Sequence, residues 1–321
     1  MQRASIVAMV CALKALAVGA QAQETAMSLA YRLEVSAGRR TYHTIQTLFR
    51  KAAGLCLHAI EVDGVEIPYC QGGVGAPVVL LHGFADNKET WMPVGAQIAR
   101  RHTLIAPDLP GYGAAGSIAP DQATLPALAQ QTLTFLDRLG RRRVHLVGSS
   151  MGGGVALMMA LLAPERVRSL TLLGSMGPEV VVSELKRRIV ERDENFLLPT
   201  NHSEWEEMMD LIFSRRPVMP RQIRVYMAHR HIAAREIYMR QFDAMIEPEN
   251  YGFPTDLSGL KVPTLVVHGT EDNLVHFETG RLIAAELDNA ELMMLPGVGH
   301  APHWEAPGAW MKAWRRLTSR T

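Results

Sequence analysis

Residues 146–155, which read LVGSSMGGGV, place two serines between glycines at the end of an apolar run. The run before them, residues 144–147, has the composition of a buried strand, and residues 155–162 are good helix formers. The glycines therefore mark a tight turn from a strand into a helix. A residue with a side chain at such a turn takes a strained backbone conformation, which fits only where its neighbours two positions away are glycines.

The glycine spacing distinguishes the two serines. Gly148 and Gly152 lie two positions before and after Ser150, which gives the pattern G-x-S-x-G. The same pattern around Ser149 would need glycine at positions 147 and 151, which hold valine and methionine. Ser150 is thus the candidate nucleophile. The alternative interpretation is a glycine-rich turn that only packs a helix against a sheet.

Other short apolar runs in the chain predict more buried strands, and helical patterns separate them. The predicted strands are residues 77–81, 103–106, 144–147, 170–173, 264–267 and 292–295, and the helical patterns include residues 125–139 and 279–287. Near-continuous apolar runs of this kind are typical of a parallel sheet that is covered on both faces. The sequence therefore predicts a doubly wound α/β fold with a mostly parallel central sheet and helices on both faces.

One interval is too long for a single crossover helix. About ninety residues separate the predicted strand ending near Gly174 from the one starting near Thr264. The interval predicts a helical cap over residues 175–259, inserted into a core of residues 55–174 and 260–321. Its many methionine and aromatic side chains have two interpretations: a subdomain that serves stability, or the lining of a pocket for an apolar group.

The N-terminus has the pattern of an export or anchoring segment. Residues 1–22 contain Arg3, an apolar stretch and Ala20-Gln21-Ala22, which resembles a signal peptidase site and predicts a periplasmic or secreted protein. Lys14 interrupts the apolar stretch, so an uncleaved anchor with peripheral membrane contact is the alternative. Residues 23–54 follow as a predicted helical lead-in.

The net charge and the cysteines indicate which partners, disulfides and metal sites can be expected. With 33 basic and 32 acidic residues the net charge is +1, which predicts no nucleic-acid partner. Cys56 and Cys70 flank a predicted hairpin that turns at Asp63-Gly64. A three-residue loop would set the two thiols opposite each other, and a two-residue loop would set them on opposite faces. Neither has a histidine or cysteine at metal-ligand spacing, and we expect no metal and no cofactor.

A serine nucleophile needs a base, and the base needs an acid that orients it. In a sheet of this type, the acid and the base follow later strands in the order serine, acid, histidine. Asp272 follows the predicted strand that ends at position 267, with its neighbour Glu271 as the reserve acid. His300 follows the last predicted strand in a glycine-flanked loop, and it is the candidate base.

Ester or amide chemistry also needs hydrogen-bond donors for the oxyanion of the tetrahedral intermediate. The backbone N–H of Met151, at the start of the helix after the nucleophile, is one candidate. The backbone N–H of Phe84, which follows His82-Gly83 at the end of the first central strand, is the other. For both residues the side chain is expected to shape the pocket, because the donor is the backbone.

The segments LLHGF, APDLPGYG, VHLVGSSMGGGVAL, LAPERV, VVHGTEDNLV and GVGHAPHWEAP occur in this order. Together they resemble the signatures of the α/β-hydrolase superfamily over about residues 57–318, apart from the cap. LLHGFADNKETW with GSSMGG is similar to bacterial lipases and monoacylglycerol-lipase-like serine hydrolases. The resemblance implies Ser150 as nucleophile, Asp272 as acid and His300 as base, and it implies a structural role for Asp108.

These observations favour a serine hydrolase of carboxylic esters that works through an acyl-enzyme, with a small ester or a lipid such as a monoacylglycerol as substrate. A carbon–carbon hydrolase of ring-cleavage products is the enzymatic alternative, since such enzymes keep the same three residue types. A receptor that binds a ligand under the cap without turnover is the alternative from another functional class.

Overall fold

The computed structural model describes residues 28–178, 181–247, 253 and 257–321. Within these ranges the strands form one eight-stranded sheet. They are β1 (Leu55–Val62), β2 (Val65–Gly72), β3 (Pro77–Leu81), β4 (Thr103–Pro107), β5 (Val144–Ser149), β6 (Val167–Leu173), β7 (Thr264–Gly269) and β8 (Ala290–Leu295).

The described ranges also contain eleven α-helices. They are α1 (28–52), α2 (Met92–Ala99), α3 (Leu125–Arg138), α4 (Met151–Leu162), α5 (Glu184–Arg192), α6 (His202–Ile212), α7 (Arg221–Ala233), α8 (Arg235–Ile246), α9 (Phe277–Glu286), α10 (Pro302–Glu305) and α11 (Pro307–Thr318). Short 3₁₀ helices cover Lys88–Trp91, Pro120–Ala123 and Pro164–Arg166.

The strand order in space is β1-β2-β4-β3-β5-β6-β7-β8. The pairs β1–β2 and β2–β4 are antiparallel, and every later pair is parallel. The chain passes from β3 to β4 on one side and then crosses to β5 on the other side of β3. In open α/β sheets such a reversal leaves a crevice at the carboxyl ends of the strands, and ligands bind there.

Both faces of the sheet are covered, as the apolar runs predict. Helices α3, α4 and α9 pack on one face, and α2 and α11 pack on the other. Helix α4 is buried along its first ten residues, because it lies between the sheet and its neighbours. The predicted α/β class, with a mostly parallel sheet and helices on both faces, is confirmed.

The hairpin between β1 and β2 decides the position of the two cysteines. Its turn has two residues, Asp63 and Gly64, with φ angles of 50° and 81°, which are typical of a tight hairpin turn. Cys56 pairs with Gln71 in the register, and Cys70 pairs with the neighbour of Cys56. The two thiols therefore lie on opposite faces, Cys56 exposed and Cys70 buried, and both are free.

Helices α5 to α8 follow β6 and precede β7, and we refer to them as the helical insertion. Helix α1 packs against this insertion: the rings of Tyr42 and Tyr226 are 5.4 Å apart, and a side chain at Gly38 would collide with the backbone of Gln222. The predicted signal or anchor, residues 1–22, lies outside the described residues. Among the described helices, none is both long and apolar enough to cross a bilayer.

His145 is a buried histidine at the start of β5, at the end of the sheet opposite the crevice. Its Nδ1 lies 2.8 Å from the hydroxyl of Ser169. Burial, together with the positive charges of His102, Arg168 and Arg143, lowers the pKa of His145 to about 4. The folded protein therefore keeps this imidazole neutral at a pH where an unfolded chain would protonate it.

We expect His145 to make the fold sensitive to acid. Its folded pKa lies below the unfolded value, so the free energy of unfolding should fall as the pH decreases from about 6.5 towards about 4, by about 2 kcal/mol at pH 5. Urea denaturation at pH 7 and pH 5 measures this loss. In His145→Gln the loss between the two pH values should be smaller, and an equal loss in both proteins would contradict the assignment.

Candidate active site

Ser150 stands between β5 and α4 with φ 55° and ψ −121°, a conformation that is costly for a residue with a side chain. Its N–H donates to the carbonyl of Leu173 at 3.0 Å, and its carbonyl accepts the N–H of Met176 at 3.1 Å. Side chains at Gly148 or Gly152 would collide with nearby backbone carbonyls. Both glycines of the motif are therefore required by close backbone packing, and the turn holds Ser150 at the carboxyl end of β5.

Asp272 and His300 lie in the loops that follow β7 and β8, and they are hydrogen bonded. His300 Nδ1 is 2.9 Å and 2.8 Å from the two carboxylate oxygens of Asp272. The same carboxylate accepts the N–H groups of Leu274 and Val275 at 2.9 Å and 3.0 Å. These bonds fix both the carboxylate and the orientation of the imidazole.

A second histidine supports the carboxylate. Nε2 of His268, at the end of β7, lies 3.1 Å from Asp272, and both side chains are completely buried. Burial alone would raise the pKa of Asp272, but the charge of His300 and the hydrogen bonds from His268 and His300 outweigh it and hold this pKa below its ordinary value. Asp272 is thus a buried carboxylate that stays ionised. Sequence reasoning assigned no role to His268; its position four residues before Asp272 was the available signal.

The other ring nitrogen of His300 is the candidate base. Nε2 of His300 is buried and has no hydrogen-bond partner among the described residues. Gly174 lies between this pair and the turn at Ser150. An ideal Cβ at Gly174 would be 3.4 Å from His300 Nδ1, and the carbonyl of the preceding residue, Leu173, accepts the N–H of Ser150. Ser150 and the Asp272–His300 pair therefore lie on either side of the end of β6.

The two adjacent acidic residues of the loop after β7 have different environments. Glu271 is exposed, and its carboxylate accepts from the hydroxyl of Thr270 at 3.3 Å. Asp272 points inward to His300. Of the two acids that the sequence left open, Asp272 is the one in contact with the histidine.

The loop after β3 approaches Ser150 from the side opposite to β6. An ideal Cβ at Gly83 would be 3.3 Å from the Cβ of Ser150, so Gly83 allows the close approach that brings the next residue, Phe84, towards the crevice. Met151 is the first residue of α4, and its N–H has no acceptor within the helix. Both candidate oxyanion donors thus belong to segments that flank Ser150.

His82 holds the loop of Phe84 in place, a role that sequence reasoning missed. Its Nε2 accepts the N–H of Leu109 at 2.9 Å, and its Nδ1 therefore donates to the carbonyl of Gly83 at 2.8 Å. Burial lowers the pKa of His82 and so keeps the ring neutral. In the neutral ring one nitrogen accepts and the other donates, as these two bonds require.

An aromatic cluster joins this loop to the helical insertion. The ring of Phe84 is 5.8 Å from that of Tyr238 and 5.5 Å from that of Phe242, both on α8. It also meets Tyr112 at 5.9 Å. Buried methionines from the insertion, Met208, Met209 and Met245, belong to the same apolar cluster. The insertion therefore places an apolar and aromatic surface beside Phe84.

Residues 78–313 match the model of the Alpha/beta hydrolase family. The chain belongs to this family. The resemblance that the sequence motifs indicate is thereby confirmed, and the mostly parallel sheet with the Ser150 turn after β5 is the framework of this alpha/beta hydrolase.

Known proteins similar to this alpha/beta hydrolase include lipases. Lipase 1 from Psychrobacter immobilis is 30% identical over 251 residues, which cover 76% of this chain and 78% of that protein. Monoacylglycerol lipase ABHD6 from Rattus norvegicus is 25% identical over 274 residues, 81% of each protein. A solved structure of a membrane phospholipase A, described as a novel bacterial virulence factor, matches with a TM-score of 0.81 and 27% identity, covering 92% of this chain and 98% of its own.

Asp108, at the end of β4, forms a buried ion pair with Lys88. One carboxylate oxygen lies 2.7 Å from Lys88 Nζ, and the other accepts the N–H of Lys88 at 2.7 Å. The carboxylate also accepts the N–H of Ala114 at 2.9 Å. Asp108 therefore ties the loop after β4 to the 3₁₀ helix after β3, which is the structural role that the resemblance implies.

We expect Asp108→Asn to destabilise this hydrolase by about 3 kcal/mol, since it leaves the charge of Lys88 buried and unpaired. The matched control is Asp137→Asn, which removes one partner of an ion pair whose carboxylate is 63% exposed and should cost less than about 1 kcal/mol. Urea denaturation of both variants measures the difference. If the free energy of unfolding falls equally in the two variants, the buried charge of Asp108 is not what stabilises this ion pair.

Proposed function

We propose that this alpha/beta hydrolase cleaves carboxylic esters through a Ser150–His300–Asp272 triad. The observation that carries the proposal is the arrangement of His300, whose Nδ1 is bonded to a buried carboxylate while its buried Nε2 has no partner among the described residues. A base oriented in this way beside a strained serine suits nucleophilic catalysis. Lipase names among its relatives support ester bonds as the target.

In the proposed reaction, Ser150 Oγ attacks the acyl carbonyl as its proton passes to Nε2 of His300. The N–H groups of Phe84 and Met151 stabilise the oxyanion of the tetrahedral intermediate. Collapse breaks the ester C–O bond, and His300 returns the proton to the departing alcohol. Water, deprotonated by His300, then attacks the acyl-enzyme and releases the acid, and the proton returns to Ser150.

Asp272 has two tasks in this scheme. Its bond to Nδ1 keeps the lone pair of the neutral imidazole on Nε2, where the proton must be accepted. Its negative charge stabilises the imidazolium that forms in each half-reaction. The lowered pKa of Asp272 keeps that charge in place at neutral pH.

We infer that the substrate carries a medium or long acyl chain, as in a monoacylglycerol, and that the helical insertion serves as its cap. The aromatic contacts of Phe84 with Tyr238 and Phe242 support this inference, because they bring apolar surface from α8 next to a proposed oxyanion donor. Such surface favours a hydrocarbon chain over a polar acyl group. The names of the relatives agree with a lipid ester.

The acyl preference can be measured with p-nitrophenyl esters from acetate to palmitate and the purified full-length chain. We expect kcat/KM to rise from acetate to a maximum at a medium or long chain, since each buried methylene contributes about 0.8 kcal/mol of transfer free energy. A maximum at acetate would contradict the lipid assignment while leaving ester hydrolysis intact.

Substitutions test the triad itself. Ser150→Ala should abolish labelling by a fluorophosphonate and lower kcat at least about 10³-fold, and Asp272→Asn should lower kcat by about 10³ to 10⁴-fold by releasing the tautomer of His300. Glu271→Gln is the matched control from the adjacent position and should stay within about twofold of the parent. Ester turnover that survives in Ser150→Ala would overturn the proposed function.

A further inference from the structure

The C-terminal end of α6, in the helical insertion, is bonded to the loops of both the acid and the base. The carbonyl of Leu211 accepts from the side-chain amide of Asn273 at 3.1 Å. The carbonyl of Ile212 accepts the N–H of His300 at 2.8 Å. Carbonyls in the last turn of a helix have no donor within the helix, so they are free to make these bonds.

Glu305, at the end of α10, forms a second connection between the same two segments. Its Oε1 accepts the N–H of Gly299, next to His300, at 3.0 Å. Its Oε2 accepts the N–H of Arg215, just beyond α6, at 3.0 Å. One half-buried carboxylate thus bridges the loop of the proposed base and the insertion, with one oxygen for each.

The two segments pack too closely for any side chain between them. An ideal Cβ at Gly299 would be 2.7 Å from both the carbonyl oxygen of Ile212 and the backbone nitrogen of Ser214. The loop also contains Gly297 with a φ of 69°. Glycines allow its backbone to adopt many conformations. Contacts from outside the loop must therefore define the path of residues 297–300.

We propose that Glu305 is a positioning residue of the hydrolase: by holding the N–H groups of Gly299 and Arg215 together, it fixes the loop of His300 against the insertion and sets the imidazole relative to Ser150. This inference rests on the proposed function. Its chemical basis is that a displacement of about 1 Å of a catalytic group can cost about 100-fold in rate. The bond between His300 and Asp272 fixes the ring orientation, and Glu305 fixes the backbone that carries the ring.

The test is Glu305→Gln, which keeps the size of the side chain but replaces one acceptor oxygen by an NH₂ group that cannot accept. We expect kcat for a p-nitrophenyl ester to fall about tenfold, with KM within twofold, because the change acts on the loop that carries the proposed base. The rate of fluorophosphonate labelling of Ser150 should fall by a similar factor. The control is Glu165→Gln, an exposed glutamate in a 3₁₀ helix after α4, which should behave as the parent.

A double-mutant cycle separates positioning from a general structural effect. In a His300→Ala background, Glu305→Gln should cause no further loss of the residual labelling rate, because the group through which it acts is gone. An equal loss in both backgrounds, an unchanged kcat in Glu305→Gln, or a change confined to KM would overturn the inference. Thermal unfolding of each variant shows that the compared proteins are folded.

The same experiment keeps the two proposals distinct. If His300→Ala retains the parental labelling rate, the proposed triad is wrong, and the role of Glu305 as its positioning residue is wrong with it. If His300→Ala loses labelling and Glu305→Gln does not, the triad stands and only the positioning role is wrong.

Discussion

The strained backbone of Ser150 is the constraint on which the rest of the site depends. A positive φ at a residue with a side chain persists only where surrounding contacts enforce it. Here the enforcing contacts are the bonds of Ser150 to Leu173 and Met176 and the close packing of Gly148 and Gly152. These contacts require β5 to lie between β3 and β6 with α4 buried against the sheet, so the turn and the fold support each other.

Around this turn, the site is assembled from loops that have little regular structure of their own. Polar side chains hold these loops through hydrogen bonds with backbone groups: the buried His82 for the loop after β3, the buried Asp108 for the loop after β4, and the half-buried Glu305 for the loop after β8. His82 and Asp108 are completely buried, so leaving one of their partners unpaired is costly. Rigidity at the site therefore comes from polar ties between loops as well as from the apolar core.

The sequence predicted those features that depend on neighbouring residues. Ser150 could be distinguished from Ser149 because a tight turn demands glycine two residues away on each side. The parallel sheet could be predicted because its strands are apolar on both faces. His82 and Glu305 were missed, because their partners are backbone groups whose nearness depends on how loops pack, and spacing along the chain carries no signal of that packing. His268 was missed although its position four residues before Asp272 was a signal.

By itself, the sequence determined the class of fold, the position of the tight turn at Ser150 and the order in which Asp272 and His300 follow it, since each is encoded in local spacing and apolar periodicity. Tertiary structure alone decided that Asp272 faces His300 while Glu271 faces solvent, that Cys56 and Cys70 lie on opposite faces, and that α6 meets the loop of His300. The physical reason is that these outcomes depend on register and on the direction of side chains in packed loops, and both are fixed only when distant segments come into contact.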